Sequence, residues 1–260
     1  MASALPRART SGDIDALVAI KAKDLSSPFQ YLTIAELYRE GKRPDDALNW
    51  AERGLKAFPK DTDARLMEFL ADEYHRRKRH DEALALMWRP FEARPSLEYY
   101  QLLKRHADRA GVWPQWRERG LATLRGKIAQ DAAGKKNRAD FGWGHSNHAT
   151  LVSVFLWEKD YETAWTEAQK YPIGRDLALE LAEIREKTHP ADAIPLYLRE
   201  AETLITQTGN RSYEAAIRHL KKVKALHLRL CLTDEWIAIL VRLRMQHKAK
   251  RNFIALAAAL

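Results

Sequence analysis

Nine histidines, a single cysteine and a strongly basic C-terminal stretch are the residues of this sequence best suited to chemistry. Arg242 and His247 could in principle bind a phosphate and pass a proton, as RNA cleavage requires. Five residues along a helix is about 140° of rotation, however, so the two side chains do not share a face. His145 and His148, in the run Gly144-His145-Ser146-Asn147-His148, offer two imidazoles with no Cys, Asp or Glu beside them, short of a zinc ligand set. Cys231 has no second cysteine for a disulfide or a thiolate site. It lies in Leu228-Arg229-Leu230-Cys231-Leu232, where a small core residue is expected. No glycine-rich phosphate loop, nucleophile elbow or carboxylate cluster occurs. The sequence therefore predicts no catalytic residue, no metal and no cofactor.

Charge points elsewhere. The formal net charge is +9, and between Arg211 and Arg251 eleven basic residues face three acidic ones, so the imbalance is concentrated there. Lys221, Lys222 and Lys224, followed by Arg242, Arg244, Lys248, Lys250 and Arg251, form a candidate basic patch able to neutralise phosphates. No aromatic residues alternate with these charges, which argues against stacking on single strands. The plain alternative is a solvated or acid-covered helix face. The run His75-Arg76-Arg77-Lys78-Arg79-His80 is expected at a helix end, where cations complement the dipole.

These side chains must be positioned by helices. Tyr31, Ile34-Ala35, Tyr38, Ala47, Ala51 and Pro59 recur 36 residues later as Met67, Leu70-Ala71, Tyr74, Ala83, Met87 and Pro95. Bulky residues and one alanine form a face of a first helix; an alanine opens a second; a proline ends the unit. Small residues let two antiparallel axes approach while larger ones fill the space between. The connector Gly41-Lys42-Arg43-Pro44-Asp45-Asp46 reads as a glycine C-cap, a proline helix start and acids at the next N-terminus. Spacing of this kind resembles the tetratricopeptide repeat. In such an array the first helices expose Arg65, Glu68, Asp72 and His75 in one unit and Glu98, Gln101, Arg105 and Asp108 in the next. This polar groove would suit an extended charged peptide, or it is a solvated face with ion pairs worth ~0–1 kcal/mol each.

Later units keep fragments of the pattern, around Leu97–Arg125, Ala149–Tyr171 and Asp176–Glu202, with further apolar-periodic segments near Ser212–Leu230 and Asp234–His247. The expected architecture is all-α: a tetratricopeptide-like α-solenoid of about six helical hairpins in a right-handed superhelical array. The parsing is a disordered tail over 1–12, repeats over 13–125, a polar insertion over 126–147 that is either functional or disordered, and a helical half over 148–260. The eight tryptophans are expected in the core. No apolar run is long enough to span a membrane and no signal-peptide pattern is present, which predicts a cytoplasmic chain.

Individual phrases carry a closer resemblance. Lys23-Asp24-Leu25-Ser26-Ser27-Pro28, Ala47-Leu48-Asn49-Trp50-Ala51-Glu52-Arg53-Gly54-Leu55, Glu82-Ala83-Leu84-Ala85-Leu86-Met87-Trp88-Arg89-Pro90-Phe91 and Trp113-Pro114-Gln115-Trp116-Arg117 are four of them. With the ending His247-Lys248-Ala249-Lys250-Arg251-Asn252-Phe253, they resemble the helical C-terminal region of bacterial SWIM zinc-finger proteins, over about Lys21 to Phe253. The zinc module of that family needs three cysteines and a histidine, and one cysteine cannot build it. The resemblance implies an excised C-terminal portion or a relative without the finger; the apolar ending 254–260 would suit truncation. It implies an interaction module. The expected function is a non-enzymatic scaffold for a protein or peptide partner, with a nucleic-acid-binding accessory role as the alternative.

Overall fold

The computed structural model describes residues 14–59, 63–133 and 146–260. Among them every regular element is a helix: α1 (Ile14–Lys21), α2 (Pro28–Glu40), α3 (Pro44–Ala57), α4 (Ala64–Arg76), α5 (His80–Ala93), α6 (Leu97–Ala110), α7 (Trp113–Ala133), α8 (Asn147–Trp157), α9 (Tyr161–Ala168), α10 (Arg175–Thr188), α11 (Pro190–Gln207), α12 (Asn210–Arg229), α13 (Thr233–Gln246) and α14 (Arg251–Ala257). The fold is all-α, built of tetratricopeptide-like helical hairpins: α2/α3, α4/α5, α6/α7, α8/α9, α10/α11 and α12/α13. Two compact units, Met1–Thr123 and Leu124–Leu260, divide within α7.

The expected small positions work as close-approach sites in the first unit. Ala35, Ala47, Ala51, Ala71 and Ala83 are wholly buried. Gly54 in α3 is tighter still. A Cβ there would stand 2.7 Å from Tyr31 Cβ and 2.8 Å from Leu66 Cδ2, so only glycine lets α3 touch both neighbouring first helices. Helix starts are chemically specified: Pro28 and Pro44 occupy first turns, and the Asp63 and Ser96 side chains accept from the amides of Arg65 and Tyr99.

One turn closes five of the six hairpins. The amides of Arg43, Arg79, Val112, Asp160 and Leu232 each bond the carbonyl five residues back, at 2.8–3.0 Å. The residue before each is left-handed: Lys42, Lys78, Gly111, Lys159 and Cys231, with φ between 58° and 71°. Together with the amide of that left-handed residue bonding three back, this is the Schellman helix ending. It qualifies one expectation and corrects another. Gly41 is the C-cap of α2 as expected, but with φ −76° it is not the left-handed residue, which is Lys42; a Cβ on it would strike Ile14, so its smallness serves α1. Cys231 is exposed and not core, because it fills the left-handed turn position that aims its side chain away from the packed helices. Four non-glycine residues accept this conformation at roughly 1 kcal/mol each, which the capped carbonyls offset.

The expected insertion also changes. α7 runs on through Gly126 to Ala133, and α8 starts at Asn147 with Ser146 as its cap. Leu124 is fully buried and anchors this stretch, outweighing the ~1 kcal/mol a helical glycine costs. Residues 134–145, including His145, and the 1–12 tail lie outside the described residues. In the second unit Tyr197, Ala201, Leu220, Val223, Trp236, Leu243 and Phe253 join α11 to α14 in one core. Arg185, only 3% exposed, holds Asp192 through Nε at 2.9 Å and Glu162 through Nη1 at 2.5 Å. Among the described residues no helix is long and apolar enough to cross a membrane.

Candidate functional site

Successive first helices α2, α4 and α6 of the first unit supply the candidate groove. Glu68 of α4 pairs with Arg105 of α6, and one turn on Asp72 pairs with Arg109 at 2.8 Å. Both pairs span 37 residues, so the repeat itself builds this ladder. Asp108 is taken by Lys104 of its own helix at 2.5 Å. Arg65 chelates Asp63 at 2.8 Å, and its guanidinium lies 5.2 Å from the centre of the Phe29 ring. Glu98 is exposed in the first turn of α6 and Gln101 is half-buried a turn later. Most of the polar face is thus internally compensated; Arg65 and Arg105, each 65% exposed, are its most open cations, and Arg65 is the one beside an exposed aromatic ring.

Two residues depart from the expectation. Phe29, 48% exposed on α2, lies one 36-residue period before Arg65 and so on the same face. That period was the signal by which it could have been found. His75 is a correction: it is 4% exposed and does not line a groove. Its Nε2 lies 3.0 Å from His106 Nδ1 and its Nδ1 lies 2.7 Å from His80 Nδ1. The His75 and His106 rings stack at 5.1 Å. A neutral His75 donates through one nitrogen and accepts through the other, so the three imidazoles form one directional chain.

Burial pushes the His106 imidazole down to about 4, helped by the adjacent His75, and lowers His75 too, with Arg109 and His80 adding to the effect. The unfolded chain, with ordinary imidazoles near 6.5, takes protons first as pH falls, so acid favours unfolding between about 6.5 and 4. We expect the melting temperature to be flat above pH 7 and to fall from pH 6.5 to 5, above the range where carboxylates titrate. His106→Asn should flatten that slope; an unchanged slope would exclude the histidine chain as its cause.

The basic patch is mostly engaged. Lys222 reaches the Tyr197 hydroxyl at 2.9 Å and Glu186 at 3.4 Å; Lys224 donates to the Leu260 carbonyl; Arg242 pairs with Glu202 at 2.8 Å. Arg244 donates to the Ala257 carbonyl at 2.6 Å and Lys250 to that of Ile205 at 2.7 Å. These cations cap helix ends and tie α11–α14 together. Lys221, Lys248 and Arg251 are exposed. Three phosphate contacts would give only about a fortyfold loss of affinity for a fourfold rise in salt, against more than a thousandfold for six. His247 turns its ring edge-on to Phe253 while Arg242 is held by Glu202, so the two do not converge. His148 is buried and donates from Nε2 to the Glu167 carbonyl at 2.9 Å. Among the described residues no group of three or more His, Cys, Asp or Glu could hold a metal.

No family model matches the sequence, and no curated protein matches it. Several solved structures align with most of the chain. The Naa15/Naa10 complex bound to HypK-THB aligns at 17% identity and TM-score 0.39; it covers 82% of this chain, which spans about a third (32%) of that one. The C-terminal part of a TPR repeat-containing protein from Cytophaga hutchinsonii aligns at 16% identity and TM-score 0.34, over 85% of this chain and 93% of that one. A tetratricopeptide repeat protein from Parabacteroides merdae gives 14% and 0.34, over 90% and 94%.

Proposed function

We propose that this chain is a non-catalytic scaffold that captures a protein or peptide partner on the first-helix face of its N-terminal unit. The observation that carries the reading is Phe29, half exposed beside the open guanidinium of Arg65. An exposed aromatic next to a cation offers a partner both an apolar anchor site and a carboxylate site, the combination that dominates interface energetics. The ion-pair ladder behind them costs a partner little to leave intact and holds α4 and α6 in register. The preferred ligand is therefore an extended segment with a bulky apolar residue next to an acidic one. On this reading the chain works in the cytoplasm, akin to the helical region of SWIM zinc-finger proteins without the finger.

The test uses a captured partner, identified by affinity purification, and its Kd for the purified chain. Phe29→Ala and Arg65→Ala should each weaken binding tenfold or more while leaving the melting temperature within about 2 °C, since both side chains are exposed. Charge reversal is not a clean probe on this face, because Arg65→Glu sets two carboxylates against each other at Asp63 and Arg105→Glu does so at Glu68. Full binding by both Phe29→Ala and Arg65→Ala would overturn the assignment of this face.

A further inference from the structure

The second unit carries an apolar stripe that its own core does not use. Trp236, Leu240 and Leu243 of α13 are buried toward α12 and α14. Ile237, Val241 and Met245 recur every four residues along another side of the same helix and are 52%, 49% and 70% exposed. Ala238 beside them is exposed as well. Repeat arrays keep such outer faces polar for solubility, and a helix normally confines its large apolar residues to one stripe. Among the described residues nothing packs over this second stripe.

Its ends are charged oppositely. Asp234 and Glu235 stand in the first turn of α13, and Lys248 lies just past its last. Of the neighbouring cations, Arg242 is paired with Glu202, and Arg244 is half-buried and drawn toward the Ala257 carbonyl at the end of α14. The order acid, Ile237, Val241, Met245, base is complementary to itself when reversed. Asp234 and Lys248 lie seven residues either side of Val241, and Ile237 and Met245 lie four. An isologous two-fold contact needs this self-complementarity, since each residue meets its mirror position in the partner. A parallel pairing would instead set like charge on like charge and align the two helix dipoles.

We infer that α13 is a homodimerisation surface, taking a second copy of this chain in antiparallel register with Val241 at the two-fold axis. Ile237 then faces Met245 of the partner subunit, and the acidic end of each helix faces the basic end of the other. Three exposed apolar side chains per copy make a patch well below the roughly 800 Å² per partner of a standard interface. The dimer is therefore weak, with a dissociation constant on the order of tens to hundreds of micromolar.

Site-specific disulfide trapping tests the register on the full chain, in a Cys231→Ser background that removes the native thiol. Val241→Cys should cross-link to itself under mild oxidation at least tenfold faster than Ile237→Cys or Met245→Cys alone. At about 1.5 Å rise per residue, the latter pairs are roughly 12 Å apart along the axis, beyond disulfide reach. Mixing Ile237→Cys with Met245→Cys chains should restore fast cross-linking, exclusively between unlike chains. Sedimentation should show mass rising with concentration, abolished by Val241→Asp. Equal, slow cross-linking at all three positions with a monomer throughout would overturn the proposal and leave the stripe to a different protein. Fast self-cross-linking at Ile237→Cys and Met245→Cys would overturn the antiparallel register.

Discussion

Phe91→Ala is expected to destabilise the first unit by about 4 kcal/mol, read as a fall of roughly 20 °C in its melting transition by calorimetry. Phe91 is wholly buried, with ring centres of Trp88 at 5.5 Å and Tyr100 at 5.9 Å. Tyr100 in turn meets Trp113 at 5.2 Å, and Trp88 meets Trp116 at 5.5 Å. Five aromatic residues from α5, α6 and the start of α7 thus close on one another, while Arg119 lies 4.1 Å over the Trp88 ring. Neighbours this bulky cannot collapse into the space a phenyl leaves, which puts the cost in the upper part of the range for large-to-small core changes. Phe29→Ala supplies the contrast: its ring is half in water, and a loss within about 0.5 kcal/mol is expected. Similar losses for the two would mean that the aromatic cluster does not hold the hairpins together.

The alanine and tyrosine positions of the first two hairpins were legible as core in the sequence because hairpin packing repeats, whereas the general expectation that tryptophans are core fails at Trp157, 38% exposed. Ala47 and Ala83, or Tyr38 and Tyr74, occupy equivalent places 36 residues apart, and a period is visible without coordinates. The candidate site was only half legible, for a physical reason. Periodicity says which side of a helix a residue is on, but a residue at the margin of that side is decided by what the next hairpin brings. His75 sits at such a margin, and His106, 31 residues away and off the period, draws it into the interior. Pairing was invisible in the same way. Glu68 with Arg105, or Lys250 with the Ile205 carbonyl, depends on where a second helix ends. A count of lysines and arginines between Arg211 and Arg251 therefore overstated the charge free to meet a ligand. Left-handed turn residues mislead differently: Lys42, Lys78 and Cys231 carry no sequence signal for φ near 60°, since glycine is the expected occupant and Gly111 alone of the five turns supplies it.

The second large effect concerns a buried charge, and it is asymmetric. Glu73 is completely buried, and its carboxylate accepts from Arg76 at 2.5 Å and from Arg77 at 2.7 Å. Arg77 also donates to the Pro44 carbonyl at 2.8 Å and to Asp45 at 2.9 Å, so it fastens the end of α4 to the beginning of α3 in the preceding hairpin. Removing Arg77 strands a carboxylate inside the protein and frees one hairpin turn from the next. Arg77→Ala is therefore expected to cost about 3 kcal/mol. Arg76, half exposed, leaves Glu73 its better partner, so Arg76→Ala should cost less than about 1 kcal/mol. Adding Glu73→Leu to Arg77→Ala removes the stranded charge and should recover at least half of the loss, by urea denaturation with an unchanged m-value. Equal costs for the two arginines would show that Glu73 is solvated, and the ion pair would then be a surface contact with little bearing on the fold. A large cost confined to Arg77 would instead identify it as the residue that fixes the α2/α3 hairpin against α4 through Pro44 and Asp45, and with it the approach of Arg65 to Phe29. On that outcome Arg77→Ala should also weaken partner capture, although its own side chain lies outside the binding face.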